Sequence, residues 1–154
     1  MDGKIEAVQS RLISTEPTVI FAALADGSTW PSWAPLSSFR LESEAQGGGE
    51  GVGGVRAFNT GLTSSFEETV RCDEPDVFEY RLLKSKVLHV RDYTAKVSLA
   101  EKDGGTLVTW AGSFRPLFPG SGWLWRRIIG DFYRKALEGL DDYLTAGAHQ
   151  SKDK

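Results

Sequence analysis

Residues 90 to 147 constrain this chain more than any other stretch: VRDYTAKVSL, a DGGT turn, TLVTWAGSF, and then a long amphipathic segment. Alternation in the first two segments predicts a β-hairpin carrying Tyr93, Ala95, Val97, Leu99, Val108, Trp110 and Phe114 on one face. An apolar face of that width needs a large apolar partner. The segment opening near PGSG offers one, because Trp125, Ile128, Phe132, Ala136, Leu140 and Tyr143 recur every three to four residues up to about Ala146. Sheet therefore wraps helix, and the space between them is either filled by side chains or left open as a pocket.

A chain of 154 residues suits one domain, 1–154, with a core that needs neither disulfides nor metal, and with a polar tail over 146–154. Aromatic residues make up 11% of it, which supplies stiff apolar surface for a core or a ringed pocket. A net charge of −3 removes the general attraction to phosphates that nucleic-acid binding requires. Cys72 is the single cysteine, so an internal disulfide is excluded and a reducing compartment fits. The N-terminus has no signal-peptide pattern, and the apolar run from Val19 to Ala25 is too short to span a bilayer. A cytoplasmic protein without stable membrane insertion is expected; oligomeric state is not legible.

The rest of the chain supplies the other strands. A first strand is expected over Glu6 to Ile13, then a helix over about 16–26 capped by Ser14 or Thr15, then a short helical turn through TWPSWAPL. Strands follow at about 39–44, 53–60, 64–73, 77–84, 89–100 and 105–115, with turns at Asn59 to Gly61, Asp73 to Asp76 and Asp103 to Gly105. GEGVGG has the spacing of a dinucleotide fingerprint, but strands flank it where a helix must follow, so it reads as a loop.

This order, with ISTEPTVIFAALAD and WPSWAP, GVGGVRAF, EETV with DEP and FEYRLL, and DGGTLVTWAGSF before the helix, resembles the START-like or Bet v1-like (SRPBCC) superfamily. It is most similar to the polyketide cyclase/dehydrase and lipid-transport branch, over roughly residues 5 to 146. The resemblance implies an α+β helix-grip fold: a curved antiparallel sheet of about seven strands around a long C-terminal helix, with two short helices after the first strand. It also implies a cavity for a hydrophobic small molecule, in a superfamily that includes carriers, cyclases, hormone receptors and chaperone activators.

Strand parity sorts the candidate site residues. Phe78, Tyr80 and Leu82 share one inward face, and Phe66, Glu68 and Val70 another. Glu68 is the odd member, since burying even an uncharged polar group without a partner costs ~2–7 kcal/mol. Arg56, Tyr80 or a ligand can serve as its partner; a bulge that turns Glu68 outward, or a place at the sheet's wet end, is the other arrangement. Tyr80 and Tyr93 can offer phenols to a ligand carbonyl or bond to backbone. Trp30 and Trp33 can form the pocket mouth or pack helix on sheet. Trp110 and Phe114 read as wall, and Arg56 as either an anion-reading fork or a solvated strand residue. His89 and Asp92 point to opposite faces of a strand, and His149 lies in the tail.

No metal-ligand cluster or cofactor motif is present in the sequence. The leading reading is a binding protein for a lipid- or polyketide-like hydrophobic or polycyclic molecule, with Trp30, Trp33, Arg56, Phe66, Glu68, Phe78, Tyr80, Tyr93, Trp110, Phe114, Ile128 and Phe132 as ligand-binding candidates. The alternatives are a polyketide cyclase, aromatase or dehydratase with Glu68, Tyr80 or Tyr93 moving protons, and a protein-interaction module. The basic face around Trp123, Arg126, Arg127, Arg134 and Lys135 is either solvated or able to touch acidic lipid headgroups.

Overall fold

The computed structural model describes residues 3–60, 63–86 and 88–152, the side chains of 63 and 147–152 aside. Its strands are β1 (Ile5–Ile13), β2 (Ser38–Ser43), β3 (Val55–Thr60), β4 (Thr63–Asp73), β5 (Val77–Ser85), β6 (Val90–Lys102) and β7 (Gly105–Pro116). Helix α1 (Pro17–Ala25) and a 3-10 turn (Gly27–Ser32) separate β1 from β2, and α2 (Gly122–Lys152) ends the chain. The strands form one antiparallel sheet in the order β1-β7-β6-β5-β4-β3-β2. Because β1 and β2 lie at opposite edges, α1 and the 3-10 turn carry the chain from one edge to the other. This is the helix-grip arrangement.

The hairpin behaves as its alternation dictates. Tyr93, Ala95, Val97 and Leu99 on β6, and Val108, Trp110 and Phe114 on β7, are buried beneath the helices. Gly112 interrupts that row because α2 crosses there, and a Cβ at Gly112 would lie 2.0 Å from the Tyr133 hydroxyl. Farther along α2, a Cβ at Gly139 would lie 1.9 Å from the Trp33 carbonyl oxygen. Backbone meets helix at that point with no side chain between.

Two boundaries and two faces differ from expectation. The cap position of α1 is Glu16, whose side chain makes no capping bond, and Pro17 takes the first helical position, where its missing N–H costs nothing. Helix α2 continues past Ala146 to Lys152, through the stretch expected to be a polar tail, where His149 lies. Its buried stripe is Ile129, Tyr133, Ala136, Leu137 and Leu140; Tyr143 and Ile128 are each 40% exposed. The turn expected at Asn59 to Gly61 extends beyond the described residues.

The face of β4 is the reverse of the one expected. Arg56 pairs with Glu67 and Phe58 with Ser65 across β3 and β4, and directly opposed residues share a face. Arg56 and Phe58 are buried under α1 and the 3-10 turn, so Ser65, Glu67 and Thr69 point inward. Phe66, Glu68 and Val70 point outward. Phe66 pairs with Ala57, and Glu68 is held by Arg81 at 2.6 Å. Strand parity admits no intermediate: one step flips every side chain.

The sheet also opens in one place. Strands β5 and β6 pair from Val77↔Ser98 to Arg81↔Thr94 and no farther, although β5 continues to Ser85 and β6 begins at Val90. Beyond that point β5 stays with β4 and β6 stays with β7, leaving a window between them. Asp92, at φ 54°, sits in the bulge that β6 makes against β7 there.

Candidate functional site

The site grows from a buried cation. Arg56 is 1% exposed, and its guanidinium carbon lies 4.6 Å from the ring centre of Trp30, 4.8 Å from Phe78 and 5.2 Å from Phe58. Aromatic faces attract a desolvated cation, which partly replaces its lost water. Arg56 Nη1 donates to the Leu24 carbonyl at 3.0 Å, and Trp30 Nε1 donates to the same oxygen at 3.0 Å. Leu24 lies in the last turn of α1, where carbonyls lack helical partners and carry the negative end of the dipole. Glu50, from the glycine-rich loop, stands 3.5 Å from Arg56 Nη1 and accepts the Gly27 N–H at 2.9 Å. That loop therefore closes over the charge rather than holding a phosphate.

Glu67 is the counterpart across the strand pair. Its Oε1 is buried without a hydrogen-bond partner among the described residues, as are Nε and Nη2 of Arg56. Burial pushes the Glu67 carboxyl up to about 7, against the opposing pull of Arg56. Burial likewise lowers Arg56, with Glu67 and Glu50 resisting. The result is a carboxyl that changes charge near neutral pH, with a fixed cation behind it.

Glu67 faces a cavity of about 160 Å³ under the first turns of α2. Ser65 and Thr60 stand beside Glu67 on the sheet wall, and Tyr80 and Tyr93 present their phenols. The remaining wall is apolar: Phe58 and Leu82 from strands, Pro35 and Leu36 from the segment after the 3-10 turn, Leu88 from the β5–β6 loop, and Ile128, Ile129 and Phe132 from α2. The phenols are ordered from behind. Trp110 Nε1 donates to the Tyr80 hydroxyl at 3.2 Å, and the hydroxyls of Tyr93 and Tyr133 are hydrogen-bonded to each other. Burial drives all three phenols well above the ordinary phenol range, so they stay protonated and act as hydrogen-bonding groups.

Of the residues singled out from sequence, Tyr80, Tyr93, Ile128 and Phe132 border this cavity. Phe78, Trp110 and Phe114 face inward but are buried in the solid part of the core. Trp30 and Trp33 do not form a mouth. They are 1% and 5% exposed, their centroids are 4.8 Å apart, and Trp33 Nε1 donates to Thr29 Oγ1 at 3.0 Å, so both are packing residues with satisfied polar ends. Arg56 is neither solvated nor at the cavity wall; it backs Glu67. Glu68 and Phe66 lie on the other face. His89 packs beside Trp125 and Phe118, while Asp92 pairs with Arg115 at 3.1 Å, so they form no acid–base couple.

Glu67 was the residue that sequence reading passed over. A pointer to it lay in Arg56: residues opposed across a strand pair share a face, so an inward Arg56 turns Glu67 inward as well. Among the described residues, no three His, Cys, Asp or Glu side chains come together as a metal site, and no helix is long and apolar enough to cross a membrane.

The family model for polyketide cyclase/dehydrase and lipid transport matches residues 4–145. No curated protein matches the chain by sequence. Solved structures with the same fold include a START superfamily protein from Mycobacterium smegmatis (TM-score 0.79, 11% identity, covering 94% of this chain and 99% of that one). The protein XoxI from Bacillus cereus superposes with TM-score 0.75 at 20% identity, covering 90% and 94% of the two chains. Major latex-like protein 151 from Panax ginseng does so with TM-score 0.72 at 17% identity, covering 91% and 97%. With the helix-grip architecture, the cavity and this match over nearly its whole length, the chain belongs to the polyketide cyclase/dehydrase and lipid-transport family.

Proposed function

We propose that this chain binds a small hydrophobic molecule in the cavity beneath α2. The observation that carries this reading is the cavity's composition: an apolar wall with its polar groups, Glu67 and the phenols of Tyr80 and Tyr93, on the sheet side. Such a site orients a ligand by a few polar contacts while apolar burial supplies the affinity. A cavity of about 150 Å³ holds a benzene-sized molecule, so at about 160 Å³ this one takes a single ring or a chain segment, and a polycyclic skeleton requires α2 to move. Native mass spectrometry of the protein purified from its own host should show a small molecule that Ile129→Trp, which fills the cavity, excludes. A wild-type protein that travels empty and binds no ring- or chain-sized probe in solution overturns the reading.

Glu67 favours one second reading, proton transfer on a polyketide-like substrate by a cyclase or dehydratase. A general acid–base group works best when its pKa lies near ambient pH, and Glu67 sits at about 7. Glu67→Gln separates the two: loss of turnover with unchanged ligand affinity indicates catalysis, and equal loss of both indicates binding alone. A protein-docking role asks for an open apolar groove, whereas α2 covers this space.

A further inference from the structure

We infer that the window between β5 and β6 is a port for a single-chain amphiphile with an anionic head. The head rests outside the sheet on Lys84, Arg91 and Arg115, and the chain passes inward to the cavity. This inference rests on the reading of the cavity as a ligand site.

Inside a continuous sheet, neighbouring strands pair along their shared length, and their backbone groups leave no passage. Here the two strands diverge after Arg81↔Thr94, each bound to a different neighbour. Leu82, Leu88 and Tyr93 border both the inner cavity and an outer cleft of about 800 Å³. An apolar partition of this kind admits a hydrocarbon chain by side-chain rotation, with no backbone hydrogen bond broken.

The outer cleft has the opposite chemistry. Lys4, Arg81, Lys84, Arg91 and Arg115 line it, and among the described residues Asp92 is its one acid. Arg81 is neutralised by Glu68 at 2.6 Å, and Arg115 shares Asp92 at 3.1 Å while its buried Nε has no hydrogen-bond partner among the described residues. Lys4, Lys84 and Arg91 have no ion pair among the described residues. Cations in excess at the outer mouth of an apolar passage complement an anionic head on an apolar chain. A carboxylate and a phosphate both meet that description.

The test titrates the full chain with octanoate, octyl phosphate and octanol, followed by NMR shifts of cavity-lining residues. Both anions, or one of them, should bind at least tenfold more tightly than octanol. The double variant Lys84→Glu, Arg91→Glu, whose positions are exposed, should erase that advantage and leave octanol unchanged. Leu88→Trp, which plugs the window, should slow or block the preferred anion. Preference for octanoate alone assigns a fatty-acid-like head, and preference for octyl phosphate alone a phosphorylated one. If octanol binds as well as the anions, or charge reversal leaves the anions unaffected, the port is overturned and the cavity reading stands. If none of the three shifts the cavity residues, both fail together.

Discussion

The two halves of α2 meet different interiors, although the same sheet lies beneath both. Under the later half, Ala136, Leu137 and Leu140 are buried, and Gly139 brings the helix against the Trp33 backbone. Trp30, Trp33 and Trp110 fill the adjoining space as a ring cluster, with Trp30 and Trp110 centroids 5.5 Å apart at 80°. Under the earlier half, Ile128, Ile129 and Phe132 face Ser65 and Glu67, whose side chains are too small or too polar to fill the gap, and open volume remains. Whether a helix-grip interior is core or container is thus decided by what the sheet presents, position by position.

The sharpest way to break this contrast is to force the halves to match. Gly139→Val places a branched side chain where a backbone oxygen already stands, 1.9 Å from the Cβ position, and overpacking against backbone has no rotamer escape. A loss of more than ~3 kcal/mol, or failure to fold, is expected in urea denaturation. A loss under ~1 kcal/mol would show that the closed half yields as readily as the open one.

Arg56 joins the halves, since it anchors the solid cluster on one side and backs Glu67 on the other. Arg56→Met should cost about 3 kcal/mol, because it removes the buried cation from the Leu24 carbonyl and from the Glu50 and Glu67 carboxyls that interact with it. Adding Glu67→Gln should recover part of that loss in a double-mutant cycle, as expected for residues sharing one interaction. Strict additivity would mean that the two groups do not feel each other.

This pair also shows what the sequence made legible. The hairpin, most of the strands and the long helix are readable because burial of one face imposes a period of two or 3.6 on the apolar residues. Around the cavity that rule loses its sign. On β4 the inward residues are Ser65, Glu67 and Thr69, and the apolar Phe66 and Val70 lie outside, so an apolar-in reading selects Glu68 and misses Glu67. On α2, apolar residues occupy two adjacent faces, which leaves the helix rotation to packing: Tyr133 and Leu137 are buried where Ile128 and Tyr143 were expected. Neither ambiguity arises in β6 or β7, whose inner faces meet solid core along most of their length.

The pH dependence of stability sharpens the comparison at the open end. With the Glu67 carboxyl raised from its ordinary value of 4.5 to about 7, the folded state holds this proton more tightly than the unfolded chain. Its contribution to stability is therefore present below 4.5 and is lost as pH rises through 7. Glu67→Gln mimics the protonated form, so the variant should match wild type at acid pH and exceed it above neutrality, on the order of 3 kcal/mol at most. Equal stability curves across that range would place the carboxyl in contact with water rather than in the cavity wall.

The smallest effect on stability should accompany a clear effect on binding. Ile128 is 40% exposed yet borders the cavity, so Ile128→Ala removes little buried surface and should cost less than ~1 kcal/mol. Leu140, fully buried on the same helix, should cost about 2–5 kcal/mol when changed to alanine. If α2 is wall at one end and core at the other, Ile128→Ala should alter octanol or octanoate affinity several-fold at nearly unchanged melting temperature. Leu140→Ala should lower the melting temperature and leave affinity per folded molecule unchanged. The opposite pattern would move the ligand space to the far end of the helix, where Gly139 now brings the backbones into contact.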